Sequence, residues 1–258
     1  MPKWRSRLKK KNRKNLDIYQ KTCKFVVKIE LKMKFGIVNF PGSTGFSDTV
    51  YALHFILEQD VVELWHEDTD LQGVDIVVLP SGASFGDLPK PGAIAAKSPI
   101  MASIKRFAKN KGIVLGIGNG FQILCQAGML KGTLNPNQPN TFVGKNIFVK
   151  TDRTDTPFTK LINKDQVVQL PVAHAFGRFD ADKETMRELH RNRQILLRYC
   201  SEDGKTTSES NPDGSIDNIA AICNASENVF GIMACPERAV DPGLGNVNGL
   251  LILQGLIR

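Results

Sequence analysis

The segment Val114–Leu124, which reads Val-Leu-Gly-Ile-Gly-Asn-Gly-Phe-Gln-Ile-Leu, constrains the fold more than any other stretch of the chain. A continuous apolar run enters a glycine-rich turn and gives way to apolar residues at helical spacing, so a buried strand, a tight turn and an amphipathic helix follow one another. This is the form of a nucleophile elbow, a strained turn that presents one side chain above the carboxyl end of an α/β sheet. When the turn is catalytic, serine or cysteine stands there. In this chain the position is Gly118.

The flanking sequence supports a sheet of that kind. Phe35–Phe40 is a short apolar run closed by Pro41-Gly42-Ser43, Val61–Trp65 reads as a second strand, Asp75–Pro80 as a third and Gly112–Ile117 as the strand of the elbow. Helices are expected over 48–58 and 100–109. Continuous apolar strands separated by helices point to a parallel sheet covered on both faces. Residues 141–182 read as β-rich, with strands at 146–149 and 167–172, then a helix over 184–191, a late strand at 229–233 and a short helix over 249–257. The polar stretches 135–140 and 201–214 read as loops. The expected fold is a three-layer α/β sandwich with a mostly parallel, flavodoxin-like central sheet, formed by one domain over 33–258. Ligands in such sheets sit beyond the carboxyl ends of the strands, so the loops after Phe40, Leu79 and Ile117 should converge on one pocket.

At 258 residues with 41% hydrophobic and 23% charged residues, the chain has the composition of a globular protein. No apolar run approaches the roughly 20 residues of a membrane-spanning helix, and no membrane role is expected. The formal charge of +8 is unevenly spread. Residues 1–34 hold thirteen Lys or Arg against Asp17 and Glu30, which leaves a net −3 on 35–258. Nucleic-acid or surface binding is therefore expected only through a basic arm, residues 1–32, centred on Lys9-Lys10-Lys11-Asn12-Arg13-Lys14. The plainer reading of the arm is a disordered leader or an upstream translation artefact, since Met33 directly precedes the first strand; it lacks the apolar core of a secretory signal. Cys23, Cys125, Cys200, Cys223 and Cys235 form an odd set without C-x-x-C spacing, as in a reduced, cytoplasmic protein. Neither they nor the four histidines show metal-ligand spacing, and no metal site is expected.

From Met33 onward the chain resembles the class I glutamine amidotransferases, and among them the PurQ family, the glutaminase subunits of phosphoribosylformylglycinamidine (FGAM) synthase. The residues that carry the resemblance are Phe40-Pro41-Gly42-Ser43, Trp65-His66-Glu67, Gly92-Ala93-Ile94-Ala95, Ser98-Pro99-Ile100-Met101, Asn119–Leu124, Leu170-Pro171-Val172-Ala173-His174 and Pro236-Glu237-Arg238-Ala239-Val240-Asp241. The resemblance implies glutamine hydrolysis by a Cys-His-Glu triad. The elbow cysteine attacks the side-chain amide carbon, the histidine moves the proton, the glutamate orients the histidine and backbone N–H groups hold the oxyanion. It also implies ammonia delivery to a large FGAM synthase subunit in purine biosynthesis, with a small accessory subunit as a further partner. ATP and magnesium belong to the large subunit, and no cofactor is implied here.

Carried onto this chain, the cysteine of the triad falls on Gly118, the histidine on Cys235 and the glutamate on Glu237. Only the carboxylate is retained. Substrate-binding positions fall on Gly82, Gly120 and Gln122. Other departures are expected at the same pocket: Ser81 replaces a glycine, with a positive φ expected there, Lys90 replaces an arginine, Thr44-Gly45-Phe46 replace Asn-Cys-Asp, and Gly144 and Asp180 stand for Cys and Tyr. Removing members of such a triad costs about 10⁶ in turnover and leaves about 10³–10⁴ over water. The expected function is that of a PurQ-like subunit with its own glutaminase activity lost and at most a binding or scaffolding role. The alternatives are an active glutaminase with an unconventional nucleophile, and RNA or surface binding through the arm. Candidate substitutes are Cys125, two helical turns or roughly 10 Å beyond the elbow and read as a core thiol, Cys235 itself, and His174 as base. A thiol beside a carboxylate is poorly ionised, which argues against Cys235.

Overall fold

The computed structural model describes residues 32–87, 90–138 and 140–257. The basic segment 1–31, with Cys23 and the Lys9–Lys14 cluster, lies outside them, as do Leu88 and Pro89. Nine strands form one sheet: β1 (Lys34–Asn39), β2 (Asp60–Trp65), β3 (Ile76–Leu79), β4 (Ile113–Ile117), β6 (Val143–Thr151), β7 (Val167–His174), β9 (Ile195–Cys200), β10 (Ile219–Cys223) and β11 (Val229–Ile232). Their order is β2-β1-β3-β4-β11-β10-β9-β6-β7. The first five of that order pair in parallel and the remaining pairings are antiparallel, so the sheet is mixed and the elbow lies in its parallel half. Two further strands, β5 (Thr133–Asn135) and β8 (Arg178–Asp180), pair with each other alone.

The parallel strands are apolar on both sides because both sides are covered. In β3, Ile76 and Val78 face one core while Val77 and Leu79 face the other, as the two-residue strand period requires. One face packs with Leu53 and with Ile252 of α5 (Leu250–Leu253). The opposite face packs with Ile100 and Ile104 of α2 (Pro99–Lys109) and with Phe121 and Leu124 of α3 (Asn119–Gln126). Leu189 of α4 (Lys183–Arg191) joins that second core. These are the three expected layers. The helix expected over 48–58 is α1 (Phe46–Val50) continued by a wider π-helical turn at Tyr51–Ile56, and the last helix of the chain tightens to 3₁₀ at Gln254–Leu256.

Helix α3 lies against the sheet at two glycines. A β-carbon at Gly120 would overlap the Leu79 carbonyl oxygen, and one at Gly116 in β4 would meet the Gly120 carbonyl at 2.7 Å. Backbone against backbone at this range fixes both the depth and the direction of the helix, and with them the turn that feeds it. Gly120→Ala is therefore expected to destabilise the chain by about 3 kcal/mol or more in urea unfolding, since the obstruction is a strand carbonyl with nowhere to move; a loss below about 1 kcal/mol would contradict this packing.

Candidate functional site

The elbow forms where β4 ends and α3 begins. Gly118 takes φ +53° and ψ −108°, a conformation that strains any residue with a β-carbon by about 1–3 kcal/mol, and its N–H donates to the Ile232 carbonyl at 2.7 Å. The loops after β1, β3 and β4 come together around it. Thr44, Ser81, Gly82, Gly118, Gln122 and Cys235 are among the walls of one cavity of about 350 Å³.

Glu237 sits beneath this cavity, 1% exposed. Its Oε1 accepts a hydrogen bond from the Ser81 hydroxyl at 2.7 Å, while Oε2 has no partner among the described residues. Burial raises the carboxyl to about 7, with the Ser81 hydrogen bond and the Arg238 charge pulling the other way. Cys235 is equally buried. Its thiol is pushed well above the usual range by burial, with the Glu237 carboxyl adding to the effect and Arg238 opposing it. An un-ionised thiol is a poor nucleophile. Arg238 itself is tied to Asp48, Nε to Oδ2 at 2.8 Å.

The loop after β3 departs from expectation in one respect. Ser81 does not take a positive φ; that conformation falls on Gly82, at φ +141°, where a β-carbon would stand 2.6 Å from the Thr44 amide nitrogen. Gly82 thus lines the cavity where the two loops touch. Gly120, read as a substrate-binding position, does not line the cavity, because its α-carbon is pressed onto Leu79. Gln122 does line it, but its amide is engaged at both ends: Nε2 donates to the Phe176 carbonyl at 2.6 Å and Oε1 accepts from Asn119 Nδ2 at 2.7 Å. Asn119 Oδ1 in turn accepts from the Ser84 N–H, so this side of the cavity is a closed polar chain.

His174 lines the same cavity. Asn137 Nδ2 donates to the Thr141 and His174 carbonyls, which fixes the amide, and its Oδ1 already accepts from the Gly177 N–H. The His174 Nδ1, 3.1 Å from that oxygen, must therefore carry the proton, while Nε2 faces Asp213 Oδ2 at 3.6 Å. Nε2 then keeps its lone pair and has no hydrogen-bond partner among the described residues, while burial lowers the affinity of the ring for a second proton, with Asp213 acting in the opposite sense. Cys125 is half-buried and packs against the second core, its Sγ 3.7 Å from the Lys131 carbonyl. Asp180 lies in the β5–β8 pair beside Thr133, away from this cavity, and Lys90 is exposed. Gly144 pairs with Ala173 of the cavity wall. Three contributors escaped the sequence reading: Asn119, Phe176 and Asp213. Only Asn119, beside the elbow glycine, carried a local signal. Among the described residues no group of three or more His, Cys, Asp and Glu could hold a metal ion, and no helix is long and apolar enough to cross a membrane.

Residues 32–248 match the family of CobB/CobQ-like glutamine amidotransferase domains. The phosphoribosylformylglycinamidine synthase subunit PurQ of Acaryochloris marina is 44% identical over 225 residues, which span 87% of this chain and 96% of that protein. The same subunit from Moorella thermoacetica is 45% identical with 87% and 95% covered. This chain belongs to the PurQ family. A solved structure, that of PurLQS from Thermotoga maritima, superposes with a TM-score of 0.77 at 33% identity, covering 88% of this chain and 98% of that one. This PurQ-family chain therefore keeps the family's fold around an elbow whose central residue has no side chain.

The buried carboxyl makes a pH prediction. Unfolded, Glu237 releases its proton near 4.5; folded, it keeps the proton to about 7, so the native state binds more protons across that window and stability falls as pH rises through it. Relative to Glu237→Gln, the parent chain is expected to lose about 3 kcal/mol between pH 4.5 and 8 in denaturant titrations. A constant difference between the two chains across that range would contradict the burial of an unneutralised carboxyl.

Proposed function

We propose that this chain is a PurQ-type subunit of FGAM synthase that docks on the large, ATP-using subunit but has lost its own glutaminase chemistry, so that it acts as a binding or scaffolding partner in purine biosynthesis. The observation that carries the reading is the pairing of Gly118 at the elbow with Cys235 above Glu237. Glycine offers no atom to attack the glutamine amide, and without an imidazole at 235 nothing beside Glu237 can take up and return a proton. The other thiols do not make good the loss: Cys235 is buried and un-ionised, and Cys125 does not line the cavity. What remains of the catalytic apparatus is a shaped cavity and backbone amides, which support about 10³–10⁴ over water in a comparable triad enzyme.

Docking on the large subunit is supported by the near full-length match to PurQ proteins and by the likeness to the structure of PurLQS from Thermotoga maritima. The ATP-dependent amidation, with its metal, is assigned to the large subunit, and no cofactor is assigned to this chain.

The test uses the complex. Mixed with a cognate large subunit and accessory subunit, the chain is expected to co-elute with them, and the complex should amidate its substrate with ammonium salts but not with glutamine, glutamate release staying at background. Glutamate release well above background, with or without the large subunit, would overturn the proposal.

A further inference from the structure

Ser81 stands between the two altered positions of the triad. Its Cβ lies 3.3 Å, and its Cα 3.7 Å, from where a β-carbon at 118 would stand, so even a bare methyl there requires Ser81 to give way by a few tenths of an ångström. A thiol reaches further still. On its other side the Ser81 hydroxyl donates to Glu237 Oε1 and packs against Gly45, whose N–H donates to the Ser81 carbonyl at 3.0 Å. Ser81 is 5% exposed and Glu237 1%, so this is a contact made inside the protein, where an unpartnered carboxyl is costly.

We propose that Ser81 closes the emptied catalytic pocket: its side chain fills the space beside Gly118, and its hydroxyl caps Glu237 in place of an imidazole at 235. Its functional meaning rests on the loss of activity proposed above. Ser81 is thus a positioning residue, and positions 81, 118 and 235 work as one unit. A glycine at 118 leaves room for the Ser81 Cβ, and the absence of a ring at 235 leaves Glu237 in need of the hydroxyl. Both needs are met by one side chain 156 residues away in sequence from the carboxyl it serves. Restoring the nucleophile and the base alone would then bring the new thiol against Ser81 and leave the new imidazole competing with a hydroxyl for Glu237.

The experiment compares the full chain, Ser81→Ala, the double variant Gly118→Cys/Cys235→His and the triple variant that adds Ser81→Gly, each assembled with the large subunit. In Ser81→Ala the Glu237 carboxyl, followed by carbon-13 NMR and assigned with Glu237→Gln, should titrate above the parent's midpoint, because the Ser81 hydrogen bond to its ionised form is gone. The triple variant should hydrolyse glutamine at least about tenfold faster than the double, with the gain in kcat and KM little changed, since Ser81 obstructs the nucleophile and not the substrate. If neither turns over, the alkylation rate of the introduced thiol by an electrophilic glutamine analogue decides, and should again be about tenfold higher in the triple variant. An unchanged Glu237 midpoint in Ser81→Ala, or equal rates in the double and triple variants, would overturn the proposal. Turnover by the parent chain would instead count against the loss of activity and leave the Glu237 midpoint standing as its own result.

Discussion

The approach of α3 to the sheet is the constraint on which the pocket depends. Because Gly116 and Gly120 let helix and strand backbones meet without side chains between them, the chain has to turn sharply at Gly118, and it does so at a φ and ψ that glycine adopts freely. In an active elbow that turn is strained by the nucleophile it carries. Here glycine stands at the turn and that strain does not arise, and the geometry of the elbow follows from the packing of helix on strand.

The second constraint is Glu237. A carboxyl this deeply buried must be neutral, hydrogen-bonded or paired, and in this chain it takes the first two routes, raised to about 7 and capped by Ser81. In the reading proposed above, the Ser81 side chain lies against the Gly118 turn and its hydroxyl hydrogen-bonds one oxygen of Glu237. The cavity that remains is walled on one side by the Asn119–Gln122–Phe176 chain of hydrogen bonds and holds no ionised nucleophile.

Much of this was legible in the sequence, for physical reasons that differ between elements. The strands β1, β3 and β4 read directly because burial on both faces makes them continuous apolar runs, and the elbow reads directly because its glycines are required locally. The strands β9 and β10, Ile195–Cys200 and Ile219–Cys223, went unassigned although apolar. They flank the polar loop 201–214 and owe their existence to antiparallel pairing with distant partners, which no local period reveals. The site followed the same division. The positions 118, 235 and 237 were read from the family pattern, whereas the contact of Ser81 with Glu237 joins distant parts of the chain, and Gly120, also read from that pattern, presses its α-carbon onto Leu79. His174 shows the limit most plainly: which of its ring nitrogens carries the proton depends on the orientation of the Asn137 amide, which no sequence spacing encodes.

The central claim is that no atom in this pocket can form a covalent bond with glutamine. It is tested most directly by incubating the chain, bound to its large subunit, with an electrophilic glutamine analogue and mapping adducts by peptide mass spectrometry. The account predicts no adduct within 114–124 or 232–238; stoichiometric modification of Cys235 that glutamine protects against would contradict it.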